Sequence, residues 1–395
     1  MRRIEEMDVS LNSKPKLDKK NLFKVIALLL ILIISISFMV VSKEKFLAVD
    51  GFLAVVKNRI FNAGFKNVSS IQFEPGGHPV IEPFRAGLIS AKSDGLKMYN
   101  IHGQEEWNEQ SQFSNPIVKT DGNYMIIADG KGKSIHVYHN KKQIWTQTLQ
   151  TQKGEILSAS INENGYAGII YRDSSYKSVV KVFNTKGFEI LDRYYSNNYA
   201  LNIKVSPDDK MVAIGEIDTS GMKTSSGIRF IPVGSKEDAG LFEADSVLLN
   251  MEFMGKKLIA VLDRKILSIN RDGTNNVICE FGKDKITSVG ISRDGFIVRA
   301  RKVSGFLSSA TKIEIINDKG EVVGSSDIKE KVANLTARGG VIALNTGNNV
   351  IFLNASGKQI NQFKPKKDIK EVKLFKNGSY AAIVYIDSVE IVNIF

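Results

Sequence analysis

The chain has 395 residues, 54 Lys and Arg against 42 Asp and Glu, and a single cysteine, Cys279. One cysteine excludes an intrachain disulfide framework, and the supply of aromatic and β-branched residues excludes a disordered polymer. The net charge of +12, about eight of which lie beyond residue 45, favours anionic partners without naming one.

Residues 1–21 read as a polar, basic cytoplasmic tail carrying Arg2, Arg3, Lys14, Lys16, Lys19 and Lys20, with Pro15 breaking any helix. Residues 22–42 read as a transmembrane signal anchor. Its uncharged core, Val25 to Val41, is interrupted only by Ser35 and Ser37, and the flanking residues extend it to a bilayer's length. Basic residues are concentrated before the span, so the N-terminus is expected in the cytoplasm and the remainder outside the cell membrane. No small-x-small cleavage site follows Val41, and Lys43-Glu44-Lys45 intrudes at once, which favours an uncleaved anchor over a signal peptide. Residues 43–67 read as a short helical stalk or linker. Phe46, Leu53 and Ile60 are spaced seven apart, as are Val49, Val56 and Ala63, but fewer than three heptads favour a monomer over a stalk-mediated dimer.

From residue 68 to 395 the period changes to that of strands. A pentapeptide, apolar-x-apolar-apolar-Asn, recurs at Leu96–Asn100, Val180–Asn184, Ile266–Asn270, Ile313–Asn317, Val350–Asn354 and Val389–Asn393, with looser copies at Ile135–His139 and Ile228–Pro232. About eight units at a pitch of roughly 37 to 48 residues fall in the range of propellers and solenoids. Immunoglobulin-like domains repeat at about 100 residues and β-helices far faster, so the period selects a propeller. Apolar residues at both the third and fourth pentapeptide positions cover both sheet faces, as blades stacked about an axis require. Most pentapeptides open an Asn-x-x-Gly turn, for example Asn184 to Gly187, and Asp-Gly or Asn-Gly turns precede the second strands. The expected fold is all-β, an eight-bladed β-propeller, with seven blades as the alternative. Because the last unit stops after its third strand, the stretch Val68 to Phe73 is expected to supply the missing fourth strand.

Glu105-Glu106-Trp107 and Gln143-Ile144-Trp145 at the fourth strands, with the turn Ser206-Pro207-Asp208-Asp209-Lys210, resemble the PQQ-like and WD40-like β-propeller superfamily. The overall plan resembles an uncharacterised family of membrane-anchored bacterial propellers. Quinoprotein members of the superfamily hold a quinone with stacked tryptophans, calcium and often paired cysteines. One cysteine and two tryptophans, Trp107 and Trp145, depart from that pattern, so no cofactor is expected. The resemblance implies instead a non-catalytic scaffold of the cell envelope.

The remaining residues add no catalytic constellation. His136 and His139 are three apart on a strand and point to opposite faces, so no metal site is expected from them. Asp208-Asp209 belongs to a turn, and Cys279 reads as a small buried hydrophobe. Lys364, Lys366, Lys367, Lys370, Lys373 and Lys376 cluster at the junction of the last two units and form the candidate patch for anionic wall polymer or lipid headgroups, the partner of the ring as a whole being expected to be another envelope protein or anionic wall polymer. Nucleic acid is not expected, because no interleaved aromatics accompany the lysines. The alternative to a scaffold is an extracytoplasmic enzyme acting on glycans through paired carboxylates at a central funnel. A funnel plugged by apolar or unpaired polar residues would favour the scaffold.

Overall fold

A computed structural model describes residues 67–395 apart from 75–77, 152–153, 222, 284–285 and 304–309. The expected cytoplasmic tail, the expected membrane span and nearly all of the expected stalk lie outside the described residues. Among the described residues no helix is long and apolar enough to cross a membrane.

Eight antiparallel sheets of four strands each make up the described chain. The inner strands of blades 1 to 8 are Val80–Phe84, Pro116–Asp121, Glu155–Ile161, Tyr199–Val205, Leu248–Met254, Ile286–Ser292, Asn334–Arg338 and Glu371–Leu374. Each blade then runs outward in sequence order. Blade 8 is the exception: Glu371–Leu374, Tyr380–Val384 and Ser388–Asn393 are completed by Asn67–Gln72, which pairs antiparallel with the last strand. The expected closure is therefore present, one residue earlier than the expected stretch at either end.

The pentapeptides are the third strands, and their alternation explains the ring. In the strand Ser178–Phe183, Val180 and Val182 pack toward blade 4, while Val179 and Phe183 join the core shared with blade 2. Eight apolar clusters result, one at each interface between neighbouring blades, including the seam where Ile71, Val389 and Ile391 of blade 8 meet Ile81 and Leu88 of blade 1. Burial of each such side chain is worth about 1.5–3 kcal/mol, and closing the seam protects one cluster's apolar surface that an open ring would wet.

The outer strands share an irregularity. In six blades the register slips between the third and fourth pentapeptide positions, leaving Glu106, Ile144, Ile190, Val323, Ile360 and Val68 without a cross-strand partner. Such bulges twist an exposed edge and blunt it against pairing with other chains. That the closing strand bulges at the same register as the outer strands of five other blades marks it as a true fourth strand.

The third-to-fourth turn of one blade docks on the preceding blade's outer strand. Asn184 accepts hydrogen bonds from the Lys186 and Phe188 N–H groups, and Gly187 sits at φ 82°. A Cβ on Gly187 would lie 2.8 Å from Cγ of Trp145 in blade 2. Gly103 of blade 1 approaches Ser69 of the closing strand in the same way. Ser69 also donates to the Ile101 carbonyl at 3.2 Å, tying the closing strand to blade 1.

Candidate functional site: the central channel and the lysine loops

Inner strands pack only their alternate residues between blades, so the others face the axis. On the side of the first-to-second turns they enclose a cavity of about 710 Å³, lined by residues of blades 2 to 8. Its walls are charged. Arg293, in the turn of blade 6, reaches Asp121 of blade 2 across the axis and also bonds Glu252 of blade 5 at 3.0 Å. Lys204 of blade 4 holds Glu252 at 2.7 Å. Lys376 of blade 8 crosses to Glu163 of blade 3 at 3.1 Å and lies 3.8 Å from Asp121, while Lys373 bonds Glu82 of blade 1 at 2.6 Å. Only 4% of the Asp121 side chain is exposed, so this carboxylate is the buried anchor of a lattice spanning the mouth.

Electrostatics follow from that lattice. Burial acts to raise the Glu252 pKa, but the Lys204 and Arg293 charges outweigh it and hold the carboxyl below its ordinary range. Burial acts to lower the Arg293 pKa, and Glu252 and Asp121 reverse that, leaving it raised. Glu252 is thus held ionised and cation-bound, the opposite of a general acid with a raised pKa. The funnel thus takes neither expected form alone: Asp121, Glu163 and Glu252 are each held by a cation, while among the described residues Lys119 and Arg338 line it without an ion pair.

The six candidate lysines divide between two places. Lys364, Lys366, Lys367 and Lys370 lie on the loop joining the outer strand Gln359–Phe363 to the inner strand Glu371–Leu374. All four are exposed, and Lys367 bonds Asp387 at 2.8 Å. Lys373 and Lys376 do not join them. The short inner strand carries the chain across the ring, placing Lys373 in the wall of the channel and Lys376 at its far mouth, in ion pairs. The expected six-lysine patch is therefore corrected to a four-lysine loop. A cavity of about 470 Å³ beside that loop is bordered by Lys364, Lys366 and Lys367 together with Glu330 and Asn349 of the neighbouring blade. Through Glu330 the face extends to exposed Lys329 and Lys331, which sequence reasoning missed. The signal was present, since Lys329-Glu330-Lys331 occupies the corresponding loop one unit earlier.

Cys279 is half-exposed, not buried. In blade 5 the outer-strand bulge falls at Ile278, which turns inward, leaving Cys279 beside the Arg299 guanidinium with Nη1 2.8 Å from Sγ. His136 bonds Gln143 and His139 stacks on Tyr124, so the two imidazoles have separate surroundings. Asp208 closes its own turn through the Ser206 hydroxyl and binds Arg271 of blade 5 at 2.7 Å. That Arg271 hydrogen bond holds its carboxyl well below the usual range.

A family model described as "Family of unknown function (DUF5711)" matches residues 58–394. No curated protein matches the chain. Among solved structures, BamB from Moraxella catarrhalis is similar at 14% identity and TM-score 0.53, covering 84% of this chain and 100% of its own. The C-terminal WD40 domain of Sif2 is similar at 13% identity and TM-score 0.59, covering 83% and 98%. A eukaryotic initiation factor is similar at 11% identity and TM-score 0.55, covering 82% and 87%. At these identities the likeness is one of fold.

Proposed function

This chain belongs to the family of unknown function DUF5711, and on that premise we propose that it is a non-catalytic interaction scaffold of the cell envelope. Residues 22–42 anchor it in the cell membrane with the N-terminus in the cytoplasm, and the ring is presented outside. The observation that carries the reading is the state of the channel: among the described residues, Glu82, Asp121, Glu163 and Glu252 are each engaged by a cation, which leaves a rigid ring with recognition loops. Hydrolysis of a glycan would need one carboxyl of raised pKa opposite a second carboxylate. Glu252 is pushed the other way.

The lysine loops are the recognition surface. Asn67 pairs with Val392 at the end of blade 8 that carries the channel mouth, whereas residues 364–370 lie at the opposite end. The chain thus joins the ring away from the lysine loop, which supports anionic wall polymer or an acidic envelope protein as its partner. The test is affinity capture with the intact protein from its own membranes, compared with a Lys364→Glu, Lys366→Glu, Lys367→Glu variant. The reading expects a reproducible partner that the triple variant loses. Release of sugar from wall material by the purified protein, abolished by Asp121→Asn, would contradict it.

A further inference from the structure

Blade 1 carries a hollow on the face it turns toward the closing strand. Its second strand Gly87–Lys92, third strand Gly95–Asn100 and fourth strand Glu105–Gln110 set Lys92, Gly95 and Gln110 in one cross-strand row and Ser90, Lys97 and Asn108 in the next. Alternation sends Ala91, Leu96 and Met98 into the cluster shared with blade 2, so the two rows face blade 8. The first row has no side chain at its centre. Gly95 sits at φ 148°, and a Cβ there would lie 2.3 Å from the Glu109 carbonyl oxygen, so the gap is built into the backbone. On the blade 8 side Phe73 follows the closing strand, its N–H donating to the Asp387 carbonyl at 2.8 Å, and Phe73 and Tyr99 both pack on the apolar seam. Together these groups line a cavity of about 560 Å³. That volume lies within the range of roughly 300–1,000 Å³ typical of small-molecule sites.

The lining is polar and its charges cancel, Lys92 and Lys97 against Glu74 and Asp94. Glu74 holds Lys92 at 2.7 Å and Glu105 holds Lys97 at 3.4 Å, so both cations are already engaged. Four amides, Gln72, Asn108, Gln110 and Gln112, supply groups that donate and accept. Ser90 is only 7% exposed, and among the described residues its hydroxyl has no hydrogen-bond partner. Such a buried hydroxyl is costly to leave unmatched, and a ligand hydroxyl in the cavity would satisfy it.

We propose that this cavity binds the ring of a neutral saccharide. Sugar hydroxyls donate and accept, as the amides and Ser90 require, and the apolar C–H face of the ring suits Phe73 and Tyr99. An anion would find both cations taken, and a purely apolar ligand would leave Ser90 and the amides unmatched. The site is separate from the channel and the lysine loop and does not rest on the scaffold reading.

The test applies the full-length protein, in a detergent without a sugar headgroup, to an array of immobilised neutral and acidic saccharides, and then titrates the retained compound free in solution by calorimetry. Saturable binding of a neutral saccharide is expected, weakened about three- to tenfold in Ser90→Ala and in Gln110→Ala, the scale of one neutral hydrogen bond. Ser90→Ala should melt no lower than wild type, because it removes a hydroxyl with no partner, so its weaker binding is separable from unfolding. Lys366→Gln, in the lysine loop, should bind as the wild type does. Retention of acidic saccharides alone, retention of none, or equal affinity in wild type and both Ala variants overturns the proposal.

Discussion

Glu252 lies between Lys204 and Arg293, and its protonation is tied to the stability of the ring. Its folded pKa lies below the unfolded value of about 4.3, so its contribution is fully present above that pH and is lost as pH falls through the folded value. Urea unfolding followed from about pH 7 to about pH 3 should show an acid limb that is shallower in Glu252→Gln than in wild type. Removing Arg293 should be costlier at neutral pH, because it strips a counterion from Asp121 and Glu252 together. Since Arg293 is itself 42% exposed, Arg293→Met should cost about 1–3 kcal/mol, less than a fully buried pair, and adding Asp121→Asn should recover part of it in a double-mutant cycle. None of these pairs was readable in the sequence. Arg293 and Asp121 are 172 residues apart and come from blades on opposite sides of the axis. The lysine run misled for a related reason: Lys370 and Lys376 are close in sequence, but the strand between them rises about 3.3 Å per residue and separates them by the depth of the ring.

Turns and bulges show which local signals survive into the fold. Asn-x-x-Gly was readable because its two special residues serve one backbone geometry, and Gly187 adds a second constraint by approaching Trp145. Gly187→Ala should therefore destabilise the protein by about 2–4 kcal/mol, combining left-handed strain with steric displacement of the indole. Gly234→Ala, at φ 81° with nothing near its missing Cβ, should cost only about 1 kcal/mol. Equal melting temperatures for the two variants would show that docking of one blade's turn on the next contributes nothing. The outer-strand bulges were not readable, because a bulge inserts one residue without changing the residue types around it. Cys279 is the consequence: strand alternation alone puts it fully inside, and the bulge at Ile278 leaves it partly buried, at the edge of the blade 5–6 cluster beside Arg299.

Across the whole molecule, periodicity carried most of the information. Counting pentapeptides gave eight units, and the missing fourth strand of the last unit pointed to the stretch before the first, as the pairing of Ser70 with Glu390 and Ile71 with Val389 confirms. Repetition cannot reveal what faces the axis, since the channel residues are those that differ between units. The blade interfaces, the channel lattice and the assignment of loops to two faces all depend on closure by Asn67–Gln72. The decisive measurement is therefore the melting temperature of the full-length protein lacking residues 68–74. Closure predicts a fall of roughly 10 °C or more, in one transition that includes every blade, because the apolar seam between blades 8 and 1 opens. An unchanged melting temperature would contradict the eight-bladed ring.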